Sequence, residues 1–256
     1  VTIKLSACLI VRNEEDVLPR CLASLAGFAD EIVAVDTGST DRSIAILTEA
    51  GARVVEIAWP DDFAAARNVA IDHARGDWIL FLDADEALDP KTAPQLQHLL
   101  VDVGKPVSYD IPLRHYVTEE GEVGPYNLGW MVRLFNRVPE HQYVGRVHET
   151  IVGSDPIRLD PSVICIDHWG FLPSRIAAKH KVERNQVLLE QVESEQGESA
   201  ESQVYLANQS SDAGTALRHT EQALELLKQK PDSQNLPHLA ANRMLEVLNQ
   251  TTCWQE

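Results

Sequence analysis

Four short apolar runs, each leading into a stretch of different periodicity, constrain this chain more than any other feature. Leu5–Val11, Glu31–Val35, Arg53–Ile57 and Trp78–Leu82 have the length of strands, and the last is apolar enough to be covered on both faces. Between the first two, Val17, Leu18, Cys21, Leu22 and Leu25 recur at helical spacing and Gly27 ends the pattern. Asn13 is expected to cap this helix, with Glu14, Glu15 and Asp16 favouring its first turn. A second helix is expected from about Asp41 to Ala50, capped by Ser39 or Thr40 and closed by Gly51. An alanine-rich third runs from Asp62 to Ala74. Strand alternating with helix in this way predicts an α/β fold, a mostly parallel central sheet with helices on both faces.

Ligands on such sheets sit beyond the carboxyl ends of the strands. Three of those ends are polar: Arg12-Asn13-Glu14, Asp36-Thr37-Gly38-Ser39 and Asp83-Ala84-Asp85. On an extended backbone, residues i and i+2 project to one side, so Asp83 and Asp85 can address a single point. Two carboxylates so close repel unless a cation lies between them, and Mg²⁺ or Mn²⁺ takes one or two carboxylates and completes its shell with phosphate oxygens and water. The competing reading is a strand end with solvated turn acids. No GxGxxG follows the first strand and no GxxxxGK[ST] occurs, so dinucleotide and P-loop readings are weak.

Length and charge narrow the partners. The 256 residues suffice for one large domain, or one domain with an appendage. A formal net charge of -17 argues against nucleic acid or an anionic membrane as the main partner. A phosphate ligand would need a local cation to offset that field, which suits a metal at Asp83 and Asp85. The four cysteines, Cys8, Cys21, Cys165 and Cys253, form no CxxC and are expected as reduced, buried thiols in a cytoplasmic protein. No apolar run approaches the length of a membrane span, and neither a transmembrane segment nor a signal peptide is expected.

The segments LIVRNEEDVLPRCLASL, EIVAVDTGSTDRS and DDFAAARNVAIDHARGDWILFLDADE resemble, in order and spacing, the nucleotide-sugar half of the family 2 glycosyltransferases. These are inverting enzymes of the GT-A fold. The resemblance is tight over roughly residues 5–90. It implies that Asp36 accepts from the base, commonly uracil, and that the loop Ile10–Asn13, with Arg12, lines the nucleoside. It implies that Asp83 and Asp85, flanking Ala84, hold ribose and metal-diphosphate. Arg67 and Asn68 would reach the nucleotide or sugar, Arg67 through its planar fork. Asp62, at a helix start, is a candidate for nucleoside contact, with helix capping as the equal alternative; the others also have structural readings, Asp36 as a turn-former, Asn13 as a helix cap and Arg67 as a surface ion pair.

Beyond Pro90-Lys91, which is expected to open a helix to about Val101, the pattern changes to short strands: Val107–Leu113, a hairpin tip at Glu120-Gly121-Glu122, Trp130–Asn136, Tyr143–Val152 and Val163–Asp167. Within WMVRLFNRVPEHQYVGRVHETIVG and IDHWGF, the elements Arg133-Leu134-Phe135, Gly145-Arg146-Val147-His148-Glu149 and His168-Trp169-Gly170 resemble one branch of the family. That branch includes bacterial lipopolysaccharide-core glucosyltransferases and peptide S-glycosyltransferases that modify cysteine in bacteriocins. The QxxRW of processive polysaccharide synthases is absent, and so is a clear ED pair for the base. Glu149 is the first candidate base, because a carboxylate in a partly desolvated cleft can be tuned toward neutral pH; His148 is the second. His168 is a candidate for completing the metal shell, weighed against a purely structural histidine. Trp130 and Trp169 are candidates to stack on a sugar, weighed against core packing.

After Pro173 the composition shifts. Helices are expected over Ile176–Val192, Gln203–Gln209, Ala213–Gln229 and Leu236–Gln250, with a polar stretch at Glu193–Ser202 and breaks at Pro231-Asp232 and Pro237. They resemble degenerate tetratricopeptide repeats, with a plain helical cap as the alternative; repeats would offer a docking or homo-oligomer surface. The organisation expected is a GT-A domain over 1–172, its nucleotide-sugar half to about 100 and its acceptor half from about 101, then a helical C-terminal region over 173–256. The function expected is a metal-dependent inverting transferase moving a hexose or N-acetylhexosamine from a UDP-sugar to a glycan, lipid-linked or polypeptide acceptor. Two alternatives are a helical-repeat interaction module with an inactive transferase-like domain, and a sugar nucleotidyltransferase. The latter would need a basic triphosphate-gripping loop after the first strand, where only Arg12 stands before three acids.

Overall fold

The computed structural model describes residues 5–101, 104–118, 124–147, 149–175, 181–210 and 212–229. The expectations for His148, Cys253, the hairpin tip at 120–122, the breaks at 231–232 and 237, and a last helix over 236–250 lie outside the described residues. The chain divides into two compact units, Val1–Lys179 and His180–Glu256.

The first unit is built on one sheet. Strands β1 (Leu5–Val11), β2 (Glu31–Asp36), β3 (Arg53–Glu56) and β4 (Trp78–Phe81) alternate with helices α1 (Leu18–Leu25), α2 (Ser43–Glu49) and α3 (Phe63–His73). Strands β5 (Glu86–Leu88), β6 (Ser108–Tyr116), β7 (Tyr126–Asn136), β10 (Ile157–Arg158) and β11 (Ile166–His168) extend it. Their order is β3-β2-β1-β4-β7-β6-β11-β5, with β10 beside β6. The pairs β1–β2, β1–β4 and β2–β3 are parallel, as strand–helix–strand crossovers require. Strand β7 runs antiparallel to both β4 and β6, and so joins the two halves. A separate ribbon pairs β8 (Gln142–Val144) with β9 (Thr150–Val152).

Alternation along the central strands sets the two faces. Leu5, Ala7, Leu9 and Val11 pack with Leu18, Leu22 and Leu25 of α1 and Leu47 of α2. Cys8, Val33, Val35, Ile79 and Phe81 point the other way, toward Ala64 and Ala70 of α3. All of β4 is buried, in keeping with its unbroken apolar run. Cys8, Cys21 and Cys165 are buried free thiols. No described helix is long and apolar enough to cross a membrane.

Several expectations differ from the structure, each for a local reason. Asn13 does not cap α1; Val17 does, without a side-chain bond. Asn13 instead takes φ +54°, and its Oδ1 accepts from Thr40 N at 2.7 Å while its own N–H donates to Ser39 Oγ at 2.9 Å. Glu14 and Glu15 serve the same loop rather than a helix dipole: Glu14 N donates to Ser43 Oγ at 2.7 Å, and Glu15 Oε2 accepts from Arg42 N at 3.0 Å. The second helix starts later than expected, at Ser43, whose N–H is held by Asp41 Oδ1 at 2.9 Å. Gly27 and Gly51 do end their helices, at φ +80° and +76°. The helix expected after Pro90 is a short 3₁₀ segment, Ala93–His98. The long strand expected over Tyr143–Val152 is two, broken at Gly145 with φ +96°.

The second unit contains α4 (Lys181–Gln196), α5 (Ala200–Gln209) and α6 (Ala213–Gln229). The polar stretch over 193–202, expected between helices, is mostly helical, interrupted at Gly197 with φ +82° and restarted by a reciprocal Ser199–Ser202 capping box. Val204 packs against Ala223 and Leu227 between α5 and α6.

Asp62 caps α3, its Oδ1 accepting from Ala65 N at 2.8 Å. Asp62→Ala is expected to lower unfolding free energy by about 1 kcal/mol in urea denaturation, with Asp62→Asn close to the unaltered protein.

Candidate functional site

The site is built at the carboxyl ends of β2, β1 and β4, where each strand delivers a side chain before turning into loop. Asp36 ends β2 and is 1% exposed. Its Oδ1 accepts from Gly38 N at 2.9 Å and Ser39 N at 2.8 Å. Its Oδ2 is buried without a hydrogen-bond partner, which is costly unless a ligand donor completes it. Ile10, level with Val35 on the neighbouring strand, is half-buried, and Arg12 just beyond β1 is exposed. Asn13 belongs to the loop bridge described above.

The backbone after β4 is not extended. Glu86 N donates to Asp83 O at 3.0 Å, closing a turn over Asp83–Glu86. Asp83 and Asp85 therefore do not share a face by strand alternation, and their carboxylates meet different partners. Asp83 Oδ1 accepts from Arg67 Nη2 at 2.9 Å and its Oδ2 from Arg133 Nη2 at 2.8 Å. Arg133 Nη2 also donates to Glu86 Oε1. Arg67 Nε donates to Glu149 Oε1 at 2.5 Å. These guanidinium groups supply positive charge at Asp83. Burial pushes the Asp83 carboxyl up, but Arg133 and then Arg67 outweigh it and hold it well below the usual carboxylate range. Burial raises Glu86, and Asp83 adds to that against the opposing pull of Arg133.

Asp83 is the most open of these charges, with 31% of its side chain exposed against 6% for Arg67, 2% for Arg133 and 12% for Glu149. A ligand would thus meet the cluster at Asp83. Arg67 and Arg133 are buried residues rather than surface cations, although Arg67 Nη1 and Arg133 Nε are buried without a hydrogen-bond partner; Arg67 also lies over the rings of Phe81, at 4.6 Å, and Tyr143, at 5.3 Å. Asn68, expected to reach the nucleotide or sugar, differs from that expectation. Its Nδ2 donates to Tyr143 O and its Oδ1 accepts from Tyr143 N, both at 2.9 Å, which fastens α3 to the β8–β9 ribbon.

On the other side of the turn, Ala84, Asp85 and Glu86 line a small recess with Val17, Arg20 and Trp169. Asp85 O accepts from Trp169 N at 3.1 Å. His168 Nε2 stands 3.6 Å from Asp85 Oδ1, an ion-pair rather than a hydrogen-bond distance. Its Nδ1 lies 2.7 Å from His115 Nδ1. Burial, then His168 and Arg133, pushes His115 down to about 4, so it is neutral at pH 7. Burial disfavours charge on His168, but Asp85 prevails and raises it. Among the described residues, no group of three or more His, Cys, Asp or Glu side chains could hold a metal by itself. Asp85 and His168 are the pair suited to one whose other ligands come from substrate and water. Trp169 stacks on Tyr116 at 5.6 Å and carries Arg20 4.3 Å over its ring; Trp130 carries Arg158 at 4.0 Å and donates Nε1 to Leu159 O. Both tryptophans are engaged by the protein.

Three site residues were not singled out from sequence. Arg133 lay in a quoted motif without a role; Glu86, the third acid of DADE, gave a signal at i+3 from Asp83; His115 gave none, because only the sheet register brings it to His168.

A sheet whose strand ends gather an unpartnered buried carboxylate, an acidic turn and a histidine beside it defines an α/β protein with a polar-ligand site at those ends. The chain belongs to glycosyl transferase family 2, whose sequence model matches residues 6–151. A TPR repeat-containing protein of Synechococcus elongatus is 39% identical over 197 residues, 73% of this chain and 47% of that protein. The SPbeta prophage-derived glycosyltransferase SunS of Bacillus subtilis is 29% identical over 194 residues, 72% of this chain and 44% of SunS. The chain thus spans about half the length of these curated relatives. In three dimensions it is similar to TarS of S. aureus, at 14% identity and TM-score 0.50 over 96% of this chain and 54% of TarS, a likeness that shows the GT-A fold.

Arg133→Met would leave Asp83 and Glu86 without their shared cation in a closed environment. The expected loss is about 3–5 kcal/mol of unfolding free energy, measured by chemical denaturation at pH 7.

Proposed function

We propose that the chain catalyses inverting transfer of a hexose or N-acetylhexosamine from a UDP-sugar to a glycan, lipid-linked or polypeptide acceptor, with Mn²⁺ or Mg²⁺ as cofactor. The observation that carries this reading is the pairing of Asp36 with the Asp83–Glu86 turn across β1. Adjacent strands lie about 4.8 Å apart, so the ends of β2 and β4 are roughly 10 Å from each other, a span suited to a nucleoside at one end and its diphosphate at the other. The lone Oδ2 of Asp36 is an acceptor waiting for a donor. Uracil N3–H can supply that donor, which is consistent with a uridine nucleotide.

The acidic turn fits a metal. Asp85 and His168 would hold it, with Asp83 turned to the ribose and diphosphate through its exposed edge. When bound, the cation offsets the negative charge that grows on the departing diphosphate. Arg67 and Arg133 hold the Asp83 carboxylate in place in the turn. In the transfer itself, the acceptor oxygen or sulfur attacks the anomeric carbon, the bond from that carbon to the diphosphate oxygen breaks, and the acceptor proton passes to a base. Glu149 is the candidate for that base, held beside Asp83 by their common partner Arg67. For a thiol acceptor the base matters less, because a thiolate is accessible near neutral pH.

The relatives support the reading without extending it. SunS is named a glycosyltransferase. The Synechococcus protein's name records TPR repeats, and α4–α6 would be the start of a comparable helical tail, offering a docking or oligomer surface.

UDP with Mn²⁺ is expected to raise the melting temperature above UDP alone, and Asp85→Ala to abolish the metal-dependent part. An unchanged shift in the variant would retract the metal assignment. Glu149→Gln is expected to keep UDP binding and to lower transfer to a hydroxyl acceptor by 10²-fold or more, read as UDP release; loss of binding as well would make Glu149 structural.

A further inference from the structure

The sheet register places a second imidazole behind His168. In β11, His168 is level with His115 of the parallel strand β6 and with Glu86 of the antiparallel strand β5. One neighbour therefore brings His168 to the acidic turn, and the other sets His115 at its back. The rings meet edge to face, with centroids 4.9 Å apart, and Phe171 packs against both at 5.2 Å. The contact is through the two Nδ1 atoms, 2.7 Å apart. Two facing nitrogens at that distance share one proton: one ring donates and the other accepts.

We propose that His115 is a positioning residue that selects the tautomer of His168 for metal binding. It accepts the His168 Nδ1 proton, so that the Nε2 lone pair faces the cation site beside Asp85. The proposal rests on the metal reading above and deepens it. Ligating histidines characteristically direct their second nitrogen to an acceptor that fixes ring and tautomer. A neutral imidazole serves as that acceptor only if its own proton is on Nε2. The surroundings of His115 Nε2 are specific: a Cβ on Gly129 of the adjacent strand would lie 2.6 Å from that atom. No side chain fits there with His115 in place, so Gly129 keeps open the space that the ring fills. Gly129 has no positive φ to explain it as a turn residue. Its role is the close approach.

The test is Mn²⁺ binding to the full chain at saturating UDP, with free Mn²⁺ counted by its electron paramagnetic resonance signal. His168→Ala is the reference for a lost ligand. His115→Leu is expected to weaken Mn²⁺ binding by about 10- to 100-fold. His115→Asn, whose Oδ1 can accept where Nδ1 stood, is expected to recover most of it. UDP affinity without metal should be the same in all three proteins and marks them as folded. Should His115→Leu fail to fold, Gly129→Ala displaces the ring without removing it and is expected to weaken Mn²⁺ in the same direction. Wild-type Mn²⁺ affinity in His115→Leu or, if that variant does not fold, in Gly129→Ala, with His168→Ala impaired, would overturn the positioning role while the metal reading stands. Equal losses in the Leu and Asn variants would also overturn it. If the unaltered protein takes up no Mn²⁺ with UDP, the metal reading itself fails, and the positioning role with it.

Discussion

Asp83 held between two arginines is the interaction on which the rest of the first unit depends. A carboxylate at the end of a buried strand needs counter-charge, because burial penalises its ionised form. The sequence cannot provide that charge locally: Arg67 is 16 residues back, on α3, and Arg133 is 50 residues on, in β7. Satisfying one side chain therefore fixes where α3 and β7 lie relative to β4. Arg67 then brings in Glu149 from the segment between β8 and β9, and Arg133 brings in Glu86 at the start of β5. Strands β1–β4 and the later strands become one body through charge as well as through the β4–β7 ladder. The same pairing explains how an acidic chain tolerates a dense acidic turn: two carboxylates of that turn share a guanidinium that is itself closed to water.

The first half of the fold was legible in the sequence because its signals are local. Apolar runs of strand length, helical spacing at Val17–Leu25 and the glycines at 27 and 51 each report on their own neighbourhood, and each corresponds to an element within a few residues. What failed there was capping. Asn13, Glu14 and Glu15 have the composition of a helix start, yet they bind the next strand's loop, and no single-segment reading can distinguish the two uses of the same donors and acceptors. The second half was less legible. The β5 strand is three residues long, and the Tyr143–Val152 run has strand composition throughout, but Gly145 breaks it into a ribbon. Residues 193–202 carry no apolar periodicity to mark the helix ends they contain, so composition shows only a polar stretch there.

At the site, sequence supplied the types of residue and misjudged their geometry. Asp36, Asp83 and Asp85 stand at the strand ends where they were expected. Asp83 and Asp85 would share a face only on an extended backbone, and the turn that begins at Asp83 removes that condition. The family resemblance implies that Asn68 reaches the ligand, whereas its amide is taken up by the backbone of Tyr143 in the ribbon. Arg133 was visible as a motif but silent as to partner, since its partner is set by tertiary pairing.

The turn separates two tasks that a strand would have merged. Asp83 faces the arginines of α3 and β7, where its charge is balanced by protein. Asp85 faces His168, brought by the antiparallel pairing of β11 with β5. Had the backbone stayed extended, both carboxylates would have competed for the same guanidinium groups. By curling at Asp83, the chain gives the permanent cations one acid and leaves the other beside a neutralisable imidazole. That partner can yield its proton and offer a lone pair, which an arginine cannot. The pairing of β11 with β5 sets His168 beside the acidic turn although the two lie far apart in sequence. It also makes the short β5 strand, the least conspicuous element in the sequence, the one that aligns the acidic turn with its histidine.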